Sequence, residues 1–269
     1  MRRAPIVAGQ FYAGSERTLI TEVKKFLSKD TEAKKRALGI MVPHAGYIYS
    51  GRVAGSVYGR IEMPATVVMI GPNHTGFGHM VSLMAEGTWT TPLGVCSIDD
   101  ILAQKIIKNC DPLITVDSSA HQREHSLEVQ LPFLQYLKKD IKIVPICLAD
   151  YSLEVCRNLG TGIAKAIAAS AEPTLVLASS DMTHYESKAS AREKDNLAIK
   201  DILNLAPESL MATVTSQEIS MCGSGPTAVM LFAARILGAT KAELTMYDTS
   251  GTVTGDDNSV VGYAGIIVS

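Results

Sequence analysis

His44 in Val42-Pro-His-Ala-Gly-Tyr47 and His74 in Gly71-Pro-Asn-His-Thr-Gly76 each stand just past a strongly apolar, strand-like run. In open parallel sheets ligands bind outside the carboxyl ends of the strands, so both imidazoles occupy the place where such folds put their chemistry. A further apolar run is followed by Ser179-Ser-Asp-Met-Thr-His-Tyr185, which brings Asp181 and His184 to an equivalent position. Imidazoles and carboxylates gathered at one sheet edge suit metal ligation or acid–base catalysis. A lone histidine after a strand is ordinarily a loop residue, but three at equivalent strand ends favour a shared site. Cys222, in Ser220-Met-Cys-Gly-Ser-Gly-Pro226 ahead of a helix, is the candidate third donor beside His44 and His74. Unpaired amides and the dipole at a helix start favour an anion, which predicts a readily formed thiolate there. The same thiolate with a histidine base would also serve a hydrolase or transferase as nucleophile.

A fourth polar cluster is His121-Gln-Arg-Glu-His-Ser-Leu-Glu-Val-Gln130. His125 and Glu128 are three apart and share a face if a helix has already begun, either as substrate contacts or as an ordinary helix start capped by Ser126. The spacing is not His-Glu-x-x-His, which excludes a zincin. His79 and His121 have no comparable context and are expected at the surface.

Four apolar runs, Ala37 to Val42, Ala65 to Ile70, Ile141 to Cys147 and Thr174 to Ala178, read as buried strands. Helical spacing recurs at Ile101 to Lys108, Leu127 to Leu137, Leu153 to Ala169, Ala189 to Leu203, Glu208 to Thr213 and Pro226 to Leu237. Two closing runs, Ala242 to Tyr247 and Val260 to Val268, read as further strands. Alternating strands and helices predict an α/β fold, a single domain over 1–269 with a mostly parallel central sheet flanked by helices. Met80 to Ile98 interrupts that rhythm around Gly87-Thr-Trp-Thr-Thr-Pro-Leu-Gly94 and is expected to be an antiparallel ribbon that roofs a pocket, with Trp89 as a substrate contact.

Lys and Arg number 25 against 27 Asp and Glu, a formal charge of -2 in 269 residues, which leaves no electrostatic footprint for nucleic acid or an anionic membrane. The expected partner is a small molecule or a peptide. Five cysteines without a Cys-x-x-Cys pair, behind a start that lacks an apolar signal core, predict a reducing, cytoplasmic setting. Cys147 inside a strand, with Cys156 and Cys110, reads as a small buried hydrophobe. No apolar run approaches the roughly 20 residues of a spanning helix.

The stretch Arg3-Ala-Pro-Ile-Val-Ala-Gly-Gln-Phe-Tyr12, with Pro43-His-Ala-Gly-Tyr47, Gly71-Pro-Asn-His74, Thr91-Pro-Leu-Gly94, Glu124-His-Ser-Leu-Glu128, Ser179-Ser-Asp181 plus His184, and Met221-Cys-Gly223, resembles the Memo family, called AmmeMemoRadiSam system protein B in prokaryotes. The seven motifs run in order from the N-terminus to the last strand. The resemblance implies a fold similar to LigB-type class III extradiol dioxygenases, which are non-haem iron enzymes. It implies His44, His74 and Cys222 as metal ligands, and Asp181 and His184 as a neighbouring catalytic pair, His184 standing where the dioxygenases keep an acid–base histidine. Those dioxygenases complete their iron site with a carboxylate, and Cys222 at the matching position argues against ring cleavage. A thiolate in that place retains iron or zinc binding and raises the preference for copper, so the implied cofactor is iron or copper, with zinc as the alternative, and the implied chemistry is redox or oxygen-linked. The family's link to phosphorylated receptor tails supports an alternative, a peptide- or ligand-binding module that uses the same pocket without turnover. The prokaryotic name further implies a functional link to radical-SAM and AMMECR-type proteins.

Overall fold

The computed structural model describes residues 1–27 and 34–269. The four apolar runs form neighbouring parallel strands in the order Lys142–Leu148, Thr66–Pro72, Thr174–Ser179, Gly39–Val42. The sheet continues past Gly39–Val42 through the antiparallel strands Val260–Val268 and Ala242–Thr249. These runs are apolar at almost every position because helices cover both faces. Alternate side chains divide between two cores: Ile40, Val42, Val67, Met69, Leu175 and Leu177 face the helices Glu16–Phe26, Tyr47–Tyr58 and Leu131–Leu137. Met41, Val68, Ile70, Val144, Val176 and Ala178 face Asp100–Cys110, Leu153–Ala168 and Ser224–Ile236. Among the described residues no helix is long and apolar enough to cross a membrane.

Local chemistry explains most element ends. Asp99 accepts from the amide of Leu102 at 3.0 Å and Ser152 from that of Val155 at 3.4 Å, capping the helices that follow. Cys110, Cys147 and Cys156 are buried, as their surroundings in the sequence predict. The ribbon expected within Met80 to Ile98 is the antiparallel hairpin Thr88–Thr91 with Gly94–Ile98, and its Leu93 and Val95 line a hollow with Glu16, Ile20 and Gln135 rather than covering the histidine cluster. Gly94–Ile98 pairs in parallel with Lys142–Leu148, and Arg2–Arg3 pairs in parallel with Thr88–Thr91, so the hairpin extends the sheet edge. The helix expected from Leu127 begins later: Glu128–Gln130 is a 3-10 turn, and the α-helix proper is Leu131–Leu137, with Pro132 in its first turn.

Candidate metal centre

Val42 is in register with Ser179 on the neighbouring strand, and the strand ending at Pro72 lies on the other side of Thr174–Ser179. His44, Asp181 and His74 therefore leave the sheet side by side at its carboxyl edge. Cys222 arrives from the opposite direction, two residues ahead of Ser224–Ile236. The turn that carries it lies so close to the sheet that a Cβ on Gly223 would collide with the Ser179 carbonyl, which is why glycine stands there.

His44 is buried, and its ring is 5.2 Å from that of His74 and 5.6 Å from that of His125, centroid to centroid. The rings of His74 and His125 stack at 4.9 Å with 20° between their planes. One potential ligand atom from each of the three lies within 4.8 Å of the other two, an arrangement that could hold a metal ion. Burial, followed by the neighbouring His125 and His74, holds the His44 pKa well below its ordinary value, and burial likewise lowers that of His125. Neutral imidazoles with open lone pairs are what metal ligation requires.

Glu124 organises the other two imidazoles, and sequence reasoning gave it no role. Its carboxylate accepts from the His74 backbone amide at 2.6 Å, from His74 Nδ1 at 3.0 Å and from the Ser126 amide at 2.8 Å, with His125 Nδ1 3.4 Å away. Because a carboxylate can only accept, His74 carries a proton on Nδ1, and in its neutral form Nε2 is the nitrogen with a free lone pair. Burial alone would raise the Glu124 pKa, but the hydrogen bond and charge of His74 and the Ser126 amide bring it down to about 2. Burial opposes the charged form of His74, yet its bond to Glu124 and the charges of Glu124 and Asp181 leave its pKa raised.

These opposed shifts predict the pH dependence of the metal-free protein. The depressed carboxyl contributes fully above its ordinary 4.5 and loses its contribution as pH falls toward about 2. The raised imidazole contributes fully below its ordinary 6.5 and loses its contribution as pH rises through its folded value. Urea midpoints of wild type and Glu124→Gln should therefore differ most between about 4.5 and 6.5, and the gap should narrow on both sides. A gap independent of pH would refute this assignment.

Cys222 Sγ lies 3.3 Å from His44 Nε2 and accepts from the Asp181 amide at 3.3 Å, but it is not a member of the three-imidazole group. Burial and then the charge of Asp181 push its thiol well above the ordinary range, so the readily formed thiolate expected from a helix start is corrected for the metal-free protein. The Asp181 carboxylate accepts from the amides of His44 at 2.7 Å and Ala45 at 3.3 Å, and burial raises its pKa. His184 is half-buried, with Nδ1 2.9 Å from the Ser220 carbonyl. A carbonyl accepts only, so His184 Nδ1 carries the proton and Nε2 keeps its lone pair.

Two candidates lie elsewhere. Trp89 is buried beneath the Arg3 guanidinium, 4.2 Å from ring centroid to Cζ, and its indole N–H points at Met84 Sδ, which rules it out as a pocket wall. Glu128 is buried against the N-terminal segment, accepting from Arg3 Nη1 at 2.8 Å, from the amides of Ile6 and Val7 at 2.9 to 3.0 Å, and from the Tyr12 hydroxyl at 2.8 Å. It parts from His125 because the helix has not begun at His125, so their spacing does not place them on one face. His79 is exposed as expected, whereas His121 is fully buried, with Nδ1 3.3 Å from Cys147 Sγ and its pKa lowered to about 4 by burial and then by Arg3.

The model of the Memo-like protein family matches residues 3–267 of this chain. A MEMO1 family protein of Methanosarcina barkeri is 45% identical over 267 residues, covering 99% of either chain. Another, from Aquifex aeolicus, is 42% identical over 266 residues, covering 98% of either chain. The crystal structure of an uncharacterized protein from Escherichia coli K12 superposes with a TM-score of 0.57 at 15% identity, covering 86% of this chain and all of that one, a likeness of fold. With one family model spanning nearly the whole sequence and close relatives matched end to end, the chain belongs to the Memo family.

Proposed function

We propose that the chain binds a redox-active metal, iron or copper, on His44, His74 and Cys222 and carries out redox or oxygen-linked chemistry there on a small molecule or peptide. The observation that supports this reading is the thiol 3.3 Å from His44 Nε2, beside a His44 ring 5.2 Å from that of His74; the imidazoles whose ligand atoms lie within 4.8 Å of one another include His125, which is the competing third donor. The thiol's proton, with His44 Nε2 at 3.3 Å and the Asp181 carbonyl at 3.7 Å as its acceptors, is the one an ion would displace. The His74 and His125 side chains, 35% and 25% exposed, give solvent access. Two imidazoles and one thiolate suit iron, zinc or copper, and three protein donors leave a position for an exogenous ligand.

A bound redox metal would supply the electron transfer and oxygen or substrate polarisation that no side chain here provides. The chain's own residues would handle protons and position. Asp181, with its raised pKa, can hold a proton beside Cys222 and orients the His44 backbone through two amides. His184 Nε2, left open by the Ser220 contact, can take up a proton from a ligand at the site.

Elemental analysis of anaerobically purified protein tests the metal assignment, and stoichiometric iron or copper that cycles with oxidant is the expected result. Zinc alone, with no redox response, would overturn it. Ligation by Cys222 also requires loss of its proton, so binding titrations in buffers of different ionisation enthalpy should show about one more proton released per ion by wild type than by Cys222→Ala. If that variant matches wild type while His125→Ala loses the ion, the third donor is His125.

One observation favours the second reading, docking of a peptide without turnover. Ile48, Phe77 and Tyr185, each within four residues of a site histidine, are 66%, 51% and 79% exposed. Peptide binding that persists in metal-free His74→Ala protein would favour that use of the surface.

A further inference from the structure

His44 is held by a chain of buried hydrogen bonds that reaches back into the core. The Tyr58 hydroxyl donates to Gln130 Oε1 at 2.9 Å, and Tyr58 stacks on Phe133 with centroids 4.9 Å apart. Gln130 Nε2 then donates both its hydrogens, to the Pro43 carbonyl at 2.9 Å and to Ser179 Oγ at 2.9 Å. Because Pro43 offers only a carbonyl, the amide cannot be turned around. Ser179 Oγ donates its single hydrogen to the Ser126 carbonyl at 2.7 Å, again a group that can only accept. The remaining contact of that hydroxyl is His44 Nδ1 at 3.0 Å.

With its hydrogen committed to Ser126 and one lone pair taken by Gln130, the hydroxyl can only accept from the imidazole. His44 is thereby fixed with its proton on Nδ1 and a bare Nε2 pointing at Cys222 Sγ. Ser179, Gln130 and Ser126 are all buried, so no solvent hydroxyl competes for these places. We propose that Ser179, with Gln130 behind it, is a positioning residue that locks His44 in the Nδ1–H tautomer and so aims its Nε2 lone pair into the site. The lock rests on the reading of that site as a metal centre for its purpose, though not for its existence. It explains why a serine ends the Thr174–Ser179 strand in register with Val42, and why a glutamine stands where the 3-10 turn Glu128–Gln130 meets the helix.

Nitrogen-15 NMR of histidine-labelled, metal-free protein at neutral pH reads the tautomer directly, with the His44 signals assigned by their loss in His44→Ala. Wild type and Ser179→Thr, which keeps the hydroxyl, should show a protonated Nδ1 and a bare Nε2. Ser179→Ala removes the acceptor and should move the proton to Nε2, where Cys222 Sγ can receive it. Gln130→Met frees the hydroxyl to turn and should give a mixture. Zinc titrated into the same proteins should bind about 10- to 100-fold more weakly to Ser179→Ala and unchanged to Ser179→Thr, the cost of losing an outer hydrogen-bond partner. A bare Nδ1 in wild type, or an unmoved proton in Ser179→Ala, would overturn the lock. If Ser179→Ala fails to fold, an unmoved proton in Gln130→Met overturns it instead. Failure of zinc to bind wild type would sink the metal reading while the tautomer measurement still judges the lock.

Discussion

Replacing Arg3 with methionine is expected to destabilise the protein by about 3 to 5 kcal/mol, the cost of breaking a fully buried ion pair from one side. Both side chains of the Arg3–Glu128 pair are 0% exposed at 2.8 Å. The methionine would leave Glu128 charged and buried, with only the two amides and the Tyr12 hydroxyl to compensate. It would also strip donors from the carbonyls of His121 and Glu124, which Arg3 reaches at 2.6 Å through Nε and Nη2. For a chain of this size that loss corresponds to a fall in Tm of roughly 6 to 20 °C in a thermal melt. A fall of less than about 2 °C would mean that the N-terminal segment is not held by this pair. Since the Glu124 carbonyl belongs to the residue that anchors His74, the same variant should also bind metal more weakly, which links the N-terminal motif to the site through physical contact.

The second large effect is on the site itself. His44→Ala and His74→Ala should each lower metal affinity by more than the roughly 10- to 100-fold that follows loss of an outer partner, because on the proposed assignment each removes a ligand outright. Their effects on stability should differ. His44 is buried, with its amide and ring both hydrogen-bonded, so its removal opens a polar cavity. The His74 side chain is 35% exposed, and its loss mainly leaves Glu124 with one partner fewer. Equilibrium dialysis with Fe(II) or Zn(II), paired with urea melts, checks both. Wild-type metal affinity in either variant would contradict the ligand assignment.

The strands that position the site were legible because strands buried on both faces are apolar at nearly every residue, and that pattern survives in the raw sequence at Ala65 to Ile70 and Thr174 to Ala178. The side-by-side placement of His44, Asp181 and His74 followed from the general geometry of parallel sheets. What stayed hidden depends on contacts between distant segments. Glu128 looked like a helix-start carboxylate because local spacing carries no sign that Arg3 and the amides of Ile6 and Val7 come to it from more than 110 positions away. His121 looked like a surface residue for the same reason, since the Arg3 segment and the Trp89 hairpin that bury it are remote in sequence. Glu124 had one available signal, a carboxylate directly before His125. Spacing could not show that its carboxylate turns back to His74, fifty residues earlier. Cys222 misled through the helix-dipole argument, because desolvation by its surroundings outweighs the few favourable amide contacts at its turn.

On the proposed assignment His44, His74 and Cys222 share one ion. X-ray absorption at the zinc edge of Zn(II)-loaded protein tests it most directly, since it counts sulfur and nitrogen donors without needing activity. The predicted spectrum contains imidazole nitrogens at about 2.0 to 2.1 Å and a single sulfur at about 2.3 Å, with the sulfur shell lost in Cys222→Ala. A first shell of nitrogen and oxygen alone in the wild-type protein would contradict it.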